Sequence, residues 1–372
     1  MNGLPVTSVP IPYMHFFTWT WPFLGGMFFN TSLNQRMKFS STKELRILAS
    51  DISSNEDYKN AELRSLAGPL LVPRMPDTDS HSKVQQYIKN HFQNLNWNIE
   101  DDTFTDNTPY GTKQFNNIIV TYEPEVKNKL VLSCHYESKN MTDRKGNAFI
   151  AATDSAIPCT ILLDIASKLD CSLRRKRENR KLPLSEDVTI QMIFFDGEEA
   201  YKEWTATDSL YGSRHLAKWL RDAEDPYYPG TKRLDNISLF VLLDLIGTSD
   251  VVFKNFFLKT DPHFTWLQKI EKSLKKAGLL NPNGLRVAGV QDKVLFSSAR
   301  PWGGIEDDHK PFLHARPDLP VLHLISAPFP HVWHTMADNA AAINWDVTDN
   351  FNRIFRVFVA NYLHLSAVVC RK

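Results

Sequence analysis

The chain has 372 residues, of which 42% are hydrophobic and 23% are charged. This composition is typical of a soluble globular protein and excludes the fibrous and intrinsically disordered classes. Lysine and arginine number 43 against 42 aspartate and glutamate residues, so the formal net charge is +1. A charge so close to zero gives no general attraction to nucleic acid or to an anionic membrane, and we expect no nucleic-acid partner.

The first 43 residues differ in character from the rest. They contain no acidic residue, and the segment from Tyr13 to Phe29 is rich in phenylalanine and tryptophan. The basic start of a signal peptide is missing, and Pro22 interrupts the apolar run that a membrane helix would need. An organellar transit peptide stays open because the segment is acid-poor. We treat residues 1–43 as a leader or targeting segment of uncertain type, with membrane anchoring weakly supported, and residues 44–372 as one domain.

Helical and strand patterns alternate along this domain. We predict helices where apolar residues recur at spacings of three and four, at Thr42–Asn96, Asp154–Ala166, Leu210–Arg221, Pro262–Ala277 and Asp346–Val369. Short apolar or alternating runs predict strands at Trp97–Asp106, Gln114–Tyr122, Lys129–Cys134, Val188–Phe195, Ile237–Ile246 and Leu319–Ile325. The basic run from Arg174 to Lys181 is interpreted as a solvated loop rather than a binding patch. The alternation predicts an α/β fold, a single-domain three-layer sandwich with a mixed, mostly parallel central sheet flanked by helices.

An acidic turn follows the predicted strand Val188–Phe195. It contains Asp196, Glu198 and Glu199, separated only by Gly197. Open α/β sheets place their sites at the carboxyl ends of strands, and clustered like charges are costly unless a cation or a proton offsets them. An isolated sequence of this kind is more often a solvated turn. The choice between a solvated turn and a functional site therefore depends on the rest of the chain.

Other strand and loop ends carry residues typical of metal sites. His135 follows a strand, Asp154 begins a predicted helix, and His334 lies in a late loop. Two carboxylates and one imidazole form a usual ligand set for a hydrolytic zinc ion with an open coordination position. Taken singly, Asp154 is more readily explained as a helix N-cap, and His135 as a hydrogen-bonded core histidine.

Several segments in a fixed order give a more specific indication. They are CHYESK at 134–139, ATDSAIPC at 152–159, IFFDGEEA at 193–200, DSLYGSRHL at 208–216, VLLDLIG at 241–247, DDH at 307–309 with PFL at 311–313, and PFPHVWHTM at 328–336. Together they resemble the glutaminyl-peptide cyclotransferases (glutaminyl cyclases), relatives of the M28-type zinc aminopeptidases. The resemblance extends from about Leu63 to Leu365.

This resemblance implies a zinc aminopeptidase-like fold and an aminoacyltransferase. The expected reaction cyclises the N-terminal glutamine of peptides and proteins, and more slowly glutamate, to pyroglutamate with release of ammonia. It implies one Zn²⁺ per chain, held by Asp154, Glu199 and His334. Glu198 would shuttle the proton, and Asp244 and Asp307 would be catalytic acids, hydrogen-bonded in the site. A hydrogen bond between Asp307 and Asp244 is expected if the two share a proton. The implied substrate-binding residues are Trp204, Phe329, Trp333, Lys139 and His135.

The cysteines and sequons bear on location. Cys134 and Cys159 match a disulfide of the family, which implies a secreted or secretory-pathway (ER/Golgi) protein. A mitochondrial location is the alternative, given the leader. Glycosylation sequons begin at Asn30, Asn140 and Asn236, although such triplets arise often by chance.

Two residues depart from the family's usual pattern, and two rival functions stay open. Glu137 stands where the family usually has aspartate, and Glu306 stands where it often has glutamine. An M28-type zinc aminopeptidase would need a second metal with His135 and Asp244 as ligands. A non-catalytic binding module would be expected to have lost the ligands or the acid Glu198.

Overall fold

A computed structural model describes residues 41–49, 61–286 and 293–367 of the chain. Most of the predicted leader, the Asn30 sequon and the end of the last predicted helix lie outside the described residues. Within the described ranges the helices are α1 Thr42–Ala49, α2 Ala61–Ala67, α3 Asp79–Leu95, α4 Ile157–Glu178, α5 Tyr211–Asp222, α6 Asp261–Lys276, α7 His309–Ala315 and α8 Trp345–Tyr362. The strands are β1 Asn98–Thr108, β2 Gly111–Thr121, β3 Asn128–His135, β4 Val188–Phe195, β5 Glu224–Asp225, β6 Tyr228–Lys232, β7 Ile237–Asp244 and β8 Val321–Ile325.

Six of these strands form one mixed sheet in the order β1-β2-β4-β3-β7-β8. The pairs β1–β2 and β2–β4 are antiparallel, whereas β4, β3, β7 and β8 run parallel to their neighbours. The short strands β5 and β6 form a separate hairpin. The predicted mixed, mostly parallel sheet is therefore confirmed.

The central strands are buried on both faces. In β3, Leu130 and Leu132 belong to the larger core cluster and Val131 to the smaller one, because successive side chains of a strand point to opposite faces. Helices α3, α4, α6 and α8 contribute to the larger cluster, and α5 and α7 contribute to the smaller one. Helices on both faces of one sheet make the predicted three-layer sandwich.

The parallel strands end together, which places their following loops at one edge. His135 at the end of β3 pairs in register with Phe195 of β4, and Asp244 of β7 pairs with Ile325 of β8. The residues that follow these four ends are therefore close in space although they are far apart in sequence.

Several element predictions were wrong in detail. The long predicted helix Thr42–Asn96 is interrupted, since Pro69, Pro73 and Pro76 cannot continue a helix between α2 and α3. The basic run Arg174–Lys181 is not simply a loop, because α4 continues to Glu178.

Other local features also differ from the predictions. Asp154 is not an N-cap, because α4 begins at Ile157 and its N-cap position is Ala156. Helix α7 and the hairpin of β5 and β6 were not predicted. Within the described residues, no helix has the length and apolar content that crossing a membrane requires.

Candidate active site

A cavity of about 570 Å³ opens at the edge where the parallel strands end. Ten of the residues implied by the sequence resemblance line it, namely Lys139, Asp154, Glu198, Glu199, Trp204, Asp244, Asp307, Phe329, Trp333 and His334. Four further lining residues were not assigned to the site from the sequence: Leu245, Ile305, Glu306 and Ile325. Residues from six separate segments therefore meet around one space.

Three candidate metal ligands converge at this cavity. His334 Nε2 lies 3.0 Å from Glu199 Oε1 and 3.4 Å from Asp154 Oδ2. Potential ligand atoms of the three residues all lie within 4.8 Å of one another. The buried Oδ2 of Asp154 has no hydrogen-bond partner, which is costly unless a cation binds there. Two carboxylate oxygens and one imidazole nitrogen so arranged fit a tetrahedral zinc ion with one open position.

Local contacts hold each of these three side chains in place. The segment carrying Asp154 is fixed by Asp338, whose carboxylate accepts a hydrogen bond from Thr153 N at 2.8 Å. Lys139 Nζ donates to Glu199 Oε2 at 2.9 Å, which leaves the other oxygen facing His334. The ring of Trp333 stacks on that of His334 with centroids 4.1 Å apart.

The turn that carries the two adjacent glutamates is held by Glu137. Its Oε1 accepts hydrogen bonds from Glu198 N at 2.6 Å and Glu199 N at 3.1 Å. Its Oε2 lies 3.5 Å from His135 Nδ1. The residue that departs from the family's usual aspartate therefore connects the end of β3 to the end of β4.

Glu198 is buried and lines the cavity without being one of the three converging side chains. Burial raises its pKa well above the ordinary glutamate value; His135 opposes this, whereas the negative charges of Glu199 and Asp307 add to it. A carboxyl with a raised pKa can hold a proton near neutral pH and give it up again.

Two aspartates complete the polar side of the cavity. Asp244 Oδ1 accepts hydrogen bonds from Ser155 Oγ and from Leu245 N, and burial raises the pKa of Asp244 to about 7. Asp307 Oδ2 lies 2.7 Å from His323 Nε2, and burial raises the pKa of Asp307 as well. No hydrogen bond joins these two described aspartates, so the predicted bond between them is not observed. Each carboxyl instead has its own hydrogen-bond partners.

Aromatic side chains form the apolar side. The rings of Phe329 and Trp333 pack edge to face with centroids 4.7 Å apart. Trp204 is 41% exposed and donates from Nε1 to Glu306 Oε2 at 3.4 Å, so it lies at the mouth. Its loop is held by Asp208, whose carboxylate accepts hydrogen bonds from three successive backbone N–H groups at 201–203.

Comparison with known proteins decides the family. Residues 117–359 match Peptidase family M28. A glutaminyl-peptide cyclotransferase of Boiga irregularis is 44% identical over 80% of this chain and 79% of its own length, and that of Bos taurus is 43% identical over 87% of both. The chain belongs to the glutaminyl-peptide cyclotransferases of peptidase family M28. The family resemblance found in the sequence is thus confirmed.

Solved structures agree with this membership. The glutaminyl cyclase of Macrostomum lignano is 35% identical, with a TM-score of 0.75 over 89% of this chain and 95% of that one. A Zn-dependent exopeptidase from Parabacteroides distasonis is 19% identical with a TM-score of 0.60, and it shares the fold alone. The cyclotransferase fold is therefore the zinc aminopeptidase-like sandwich that the sequence predicted.

One residue with an implied substrate-binding role lies elsewhere. His135 is 1% exposed and is not among the cavity-lining residues. Its Nε2 lies 3.0 Å from Asp154 Oδ1 and 3.6 Å from Asp244 Oδ1. Burial lowers the pKa of His135, but Glu137, Asp154 and Asp244 outweigh it and raise that pKa well above its usual value. The structure places His135 behind two cavity carboxyls, which it can orient.

Sequence reasoning missed several residues that position this cyclotransferase site. The fully buried guanidinium of Arg74 donates to the backbone carbonyls of Tyr136 at 2.7 Å and Ala151 at 3.1 Å. These carbonyls belong to the segments that carry Glu137 and Asp154. Arg74 stands in a proline-rich stretch far from every motif, and a lone arginine there gives no sequence signal. Ser155 lay within a recognised segment and could have been considered as a donor.

The implied disulfide is confirmed. Cys134 and Cys159 are bonded, joining the end of β3 to the first turn of α4. The bond lies next to His135, whose backbone carbonyl is 3.1 Å from Cys159 Sγ. It fastens two segments that carry site residues.

Proposed function

We propose that this protein cyclises the N-terminal glutamine of peptides and proteins to pyroglutamate and releases ammonia, acting more slowly on N-terminal glutamate. The observation that carries the proposal is the convergence of Asp154, Glu199 and His334 beside the buried Glu198 in a cavity with aromatic walls. The similar proteins of Boiga irregularis and Bos taurus are glutaminyl-peptide cyclotransferases, which supports the proposal.

One Zn²⁺ per chain is the cofactor that these residues fit. Asp154, Glu199 and His334 would hold it. When bound, the ion polarises the side-chain carbonyl of the substrate glutamine and stabilises negative charge that develops on its oxygen. Lys139 neutralises the second oxygen of Glu199 and fixes the orientation of that carboxylate.

Glu198 moves the proton that the reaction has to transfer. The α-amine of glutamine forms a bond to the side-chain carbonyl carbon of the same residue, and the bond from that carbon to the amide nitrogen breaks. Glu198 takes a proton from the attacking amine and returns one to the departing nitrogen, which leaves as ammonia. Its raised pKa favours the second transfer, because a carboxyl that binds a proton near neutral pH can act as a general acid.

The remaining side chains orient the substrate. Asp244, held by Ser155 and Leu245, is placed to accept a hydrogen bond from the leaving amide. Asp307 carries a second proton-binding carboxyl on the same side, while His135 acts as a positioning residue. Trp204, Phe329 and Trp333 hold the bent conformer of the glutamine and exclude water, which favours intramolecular attack.

An M28-type zinc aminopeptidase is the second candidate, and one observation favours it. His135, Asp154 and Asp244 also bring potential ligand atoms within 4.8 Å of one another, as a second ion sharing Asp154 would require. Against it, Phe329, Trp333 and Trp204 line the cavity, and we expect their rings to leave room for a single substrate side chain.

We also propose a secreted or secretory-pathway setting. The Cys134–Cys159 disulfide favours an oxidising compartment. The sequon residue Asn140 is exposed and could carry a glycan, whereas Asn236 is buried and donates to Asp225. Asn236 is therefore not accessible in the folded chain.

Two peptides that differ only in their first residue distinguish the candidates. A glutamine-led peptide should stay whole and lose the mass of one ammonia in mass spectrometry, while its leucine-led counterpart stays unchanged. Release of free leucine, with the glutamine-led peptide uncyclised, would support the aminopeptidase instead.

A further inference from the structure

Glu306 is a cavity carboxylate for which the proposed reaction has no use. It lines the cavity beside Asp307, yet its side chain is 56% exposed, whereas the five other cavity carboxylates are buried. Its salt bridge with Lys310 lowers its pKa, so it is an anion at neutral pH. An exposed anion at the edge of a cavity is available to a ligand.

The position of Glu306 defines the rim of the cavity. Its Oε2 accepts the hydrogen bond from Trp204 Nε1, which joins the loop after β4 to the segment before α7. Both residues are exposed, and the candidate ligands Asp154 and Glu199 are buried. A peptide whose first residue reaches these ligands has to leave along the exposed side, so its second residue passes the rim.

The present partner of Glu306 can be exchanged. Lys310 lies four residues along the chain, and both side chains of this ion pair are at least one third exposed. Exposed pairs of this kind contribute little free energy, because water and salt compete for both charges. A cationic side chain of a substrate can therefore replace Lys310, and the indole face of Trp204 adds a cation–π contact.

We infer that Glu306 and Trp204 form a rim subsite that selects peptides with lysine or arginine directly after the N-terminal glutamine. The inference rests on the proposed function, since it assumes that glutamine occupies the cavity. The selection concerns the second residue only and leaves the chemistry of the first unchanged.

A purely structural role for Glu306 makes a different prediction. If Glu306 served only to hold Trp204 or Lys310, its replacement would change the turnover of all glutamine-led peptides by the same factor. The ratio of kcat/KM between two peptides separates the roles, because a general loss of activity cancels in that ratio.

The experiment uses three peptides that are identical except for lysine, methionine or glutamate at the second position. With the zinc-loaded full chain at low salt, we expect kcat/KM for the lysine peptide to exceed that for the methionine peptide about 3- to 5-fold, mainly through KM. The glutamate peptide should be the poorest substrate. Glu306→Gln should bring the lysine-to-methionine ratio close to one, and Lys310→Gln should increase it. High salt should reduce the ratio in the wild-type protein.

Glu178→Gln is the matched control. It removes the same charge at the exposed last residue of α4, a helix of 22 residues whose first turn lies beside the site. The lysine-to-methionine ratio should stay unchanged. An equal ratio in the wild type and Glu306→Gln, or no preference in the wild type, would overturn the inference. If no peptide is cyclised, the proposed function fails. The rim subsite is then tested by the dissociation constants of the same peptides, measured by tryptophan fluorescence titration. The ratio of the constants for the lysine and methionine peptides replaces the ratio of kcat/KM.

Discussion

At the scale of single residues, partners rather than residue types set the roles of the cavity acids. Glu198 and Glu199 are identical neighbours on one turn, and Glu137 holds both of their backbone N–H groups. Both side chains are buried. Lys139 and His334 contact the carboxylate of Glu199, whereas the pKa of Glu198 is raised. One is therefore suited to bind a cation and the other to carry a proton.

Replacing Glu198 tests the proton role. Glu198→Gln keeps the shape of the side chain but cannot exchange a proton, so we expect kcat to fall at least about 100-fold. Zinc content, measured by elemental analysis, should not change because Glu198 is not among the proposed ligands. Glu203→Gln, an exposed residue of the following loop, is the control and should retain activity. Substantial turnover by Glu198→Gln would exclude the shuttle role.

Replacing Glu137 tests how the turn is held. Glu137→Ala leaves the N–H groups of Glu198 and Glu199 without their acceptor, and zinc affinity should fall about 10- to 100-fold. Glu137→Gln keeps one acceptor oxygen, so its loss should be smaller. Competition with a metal-binding dye measures both affinities. Equal affinity of Glu137→Ala and the wild-type protein would show that the turn does not need this carboxylate.

At the scale of elements, the site depends on where strands end and on how the following segments are fastened. Buried strands such as β3 and β4 were predicted within about two residues, because strands buried on both faces are continuous apolar runs. The sequence could not show that Asp154 lies in a separate segment before α4 rather than at its N-cap, since an acid just before a helix is usually an N-cap. Nor could it show the carbonyl contacts of Arg74, which depend on the tertiary fold.

The Cys134–Cys159 disulfide stabilises the junction of β3 and α4. The bonded cysteines are 25 residues apart, so breaking the loop they close should lower the free energy of unfolding by about 3 kcal/mol. We expect this loss in Cys134→Ser combined with Cys159→Ser, measured by urea denaturation. An unchanged midpoint and slope in urea would mean that the bond adds no stability.

At the scale of the whole molecule, the buried histidines make stability depend on pH. Burial lowers the pKa of His309 to about 3, so His309 is neutral in the folded protein near neutral pH. In the unfolded chain its pKa returns to about 6.5, and the unfolded state then binds more protons between these values. The contribution of His309 to stability is therefore lost as the pH falls from about 6.5 towards 3.

The contribution of His309 can be measured directly. His309→Phe keeps a ring against Phe257 and His323 but removes the titrating group. Between pH 7.5 and 5, the variant should lose about 2 kcal/mol less free energy of unfolding than the wild-type protein. Urea denaturation at both pH values gives this difference. Identical losses in the two proteins would show that His309 is not held neutral by the fold.

The fold class and ten cavity residues could be predicted from the sequence because recognisable segments carry them. The cavity itself needs contacts between distant segments, such as Asp338 with Thr153 and His323 with Asp307. The two residues of each pair belong to different segments, and no sequence motif links them. For the same reason, the resemblance could not show that His135 lies behind the cavity rather than in its wall.

The most direct measurement is a zinc titration of chelator-stripped protein, followed by ammonia release from a glutamine-led peptide. We predict no release without metal, a linear rise as zinc is added, and a sharp break at one zinc ion per chain. Glu198→Gln should bind the same single equivalent without releasing ammonia. A break at two ions per chain, or full ammonia release by the metal-free protein, would contradict the account.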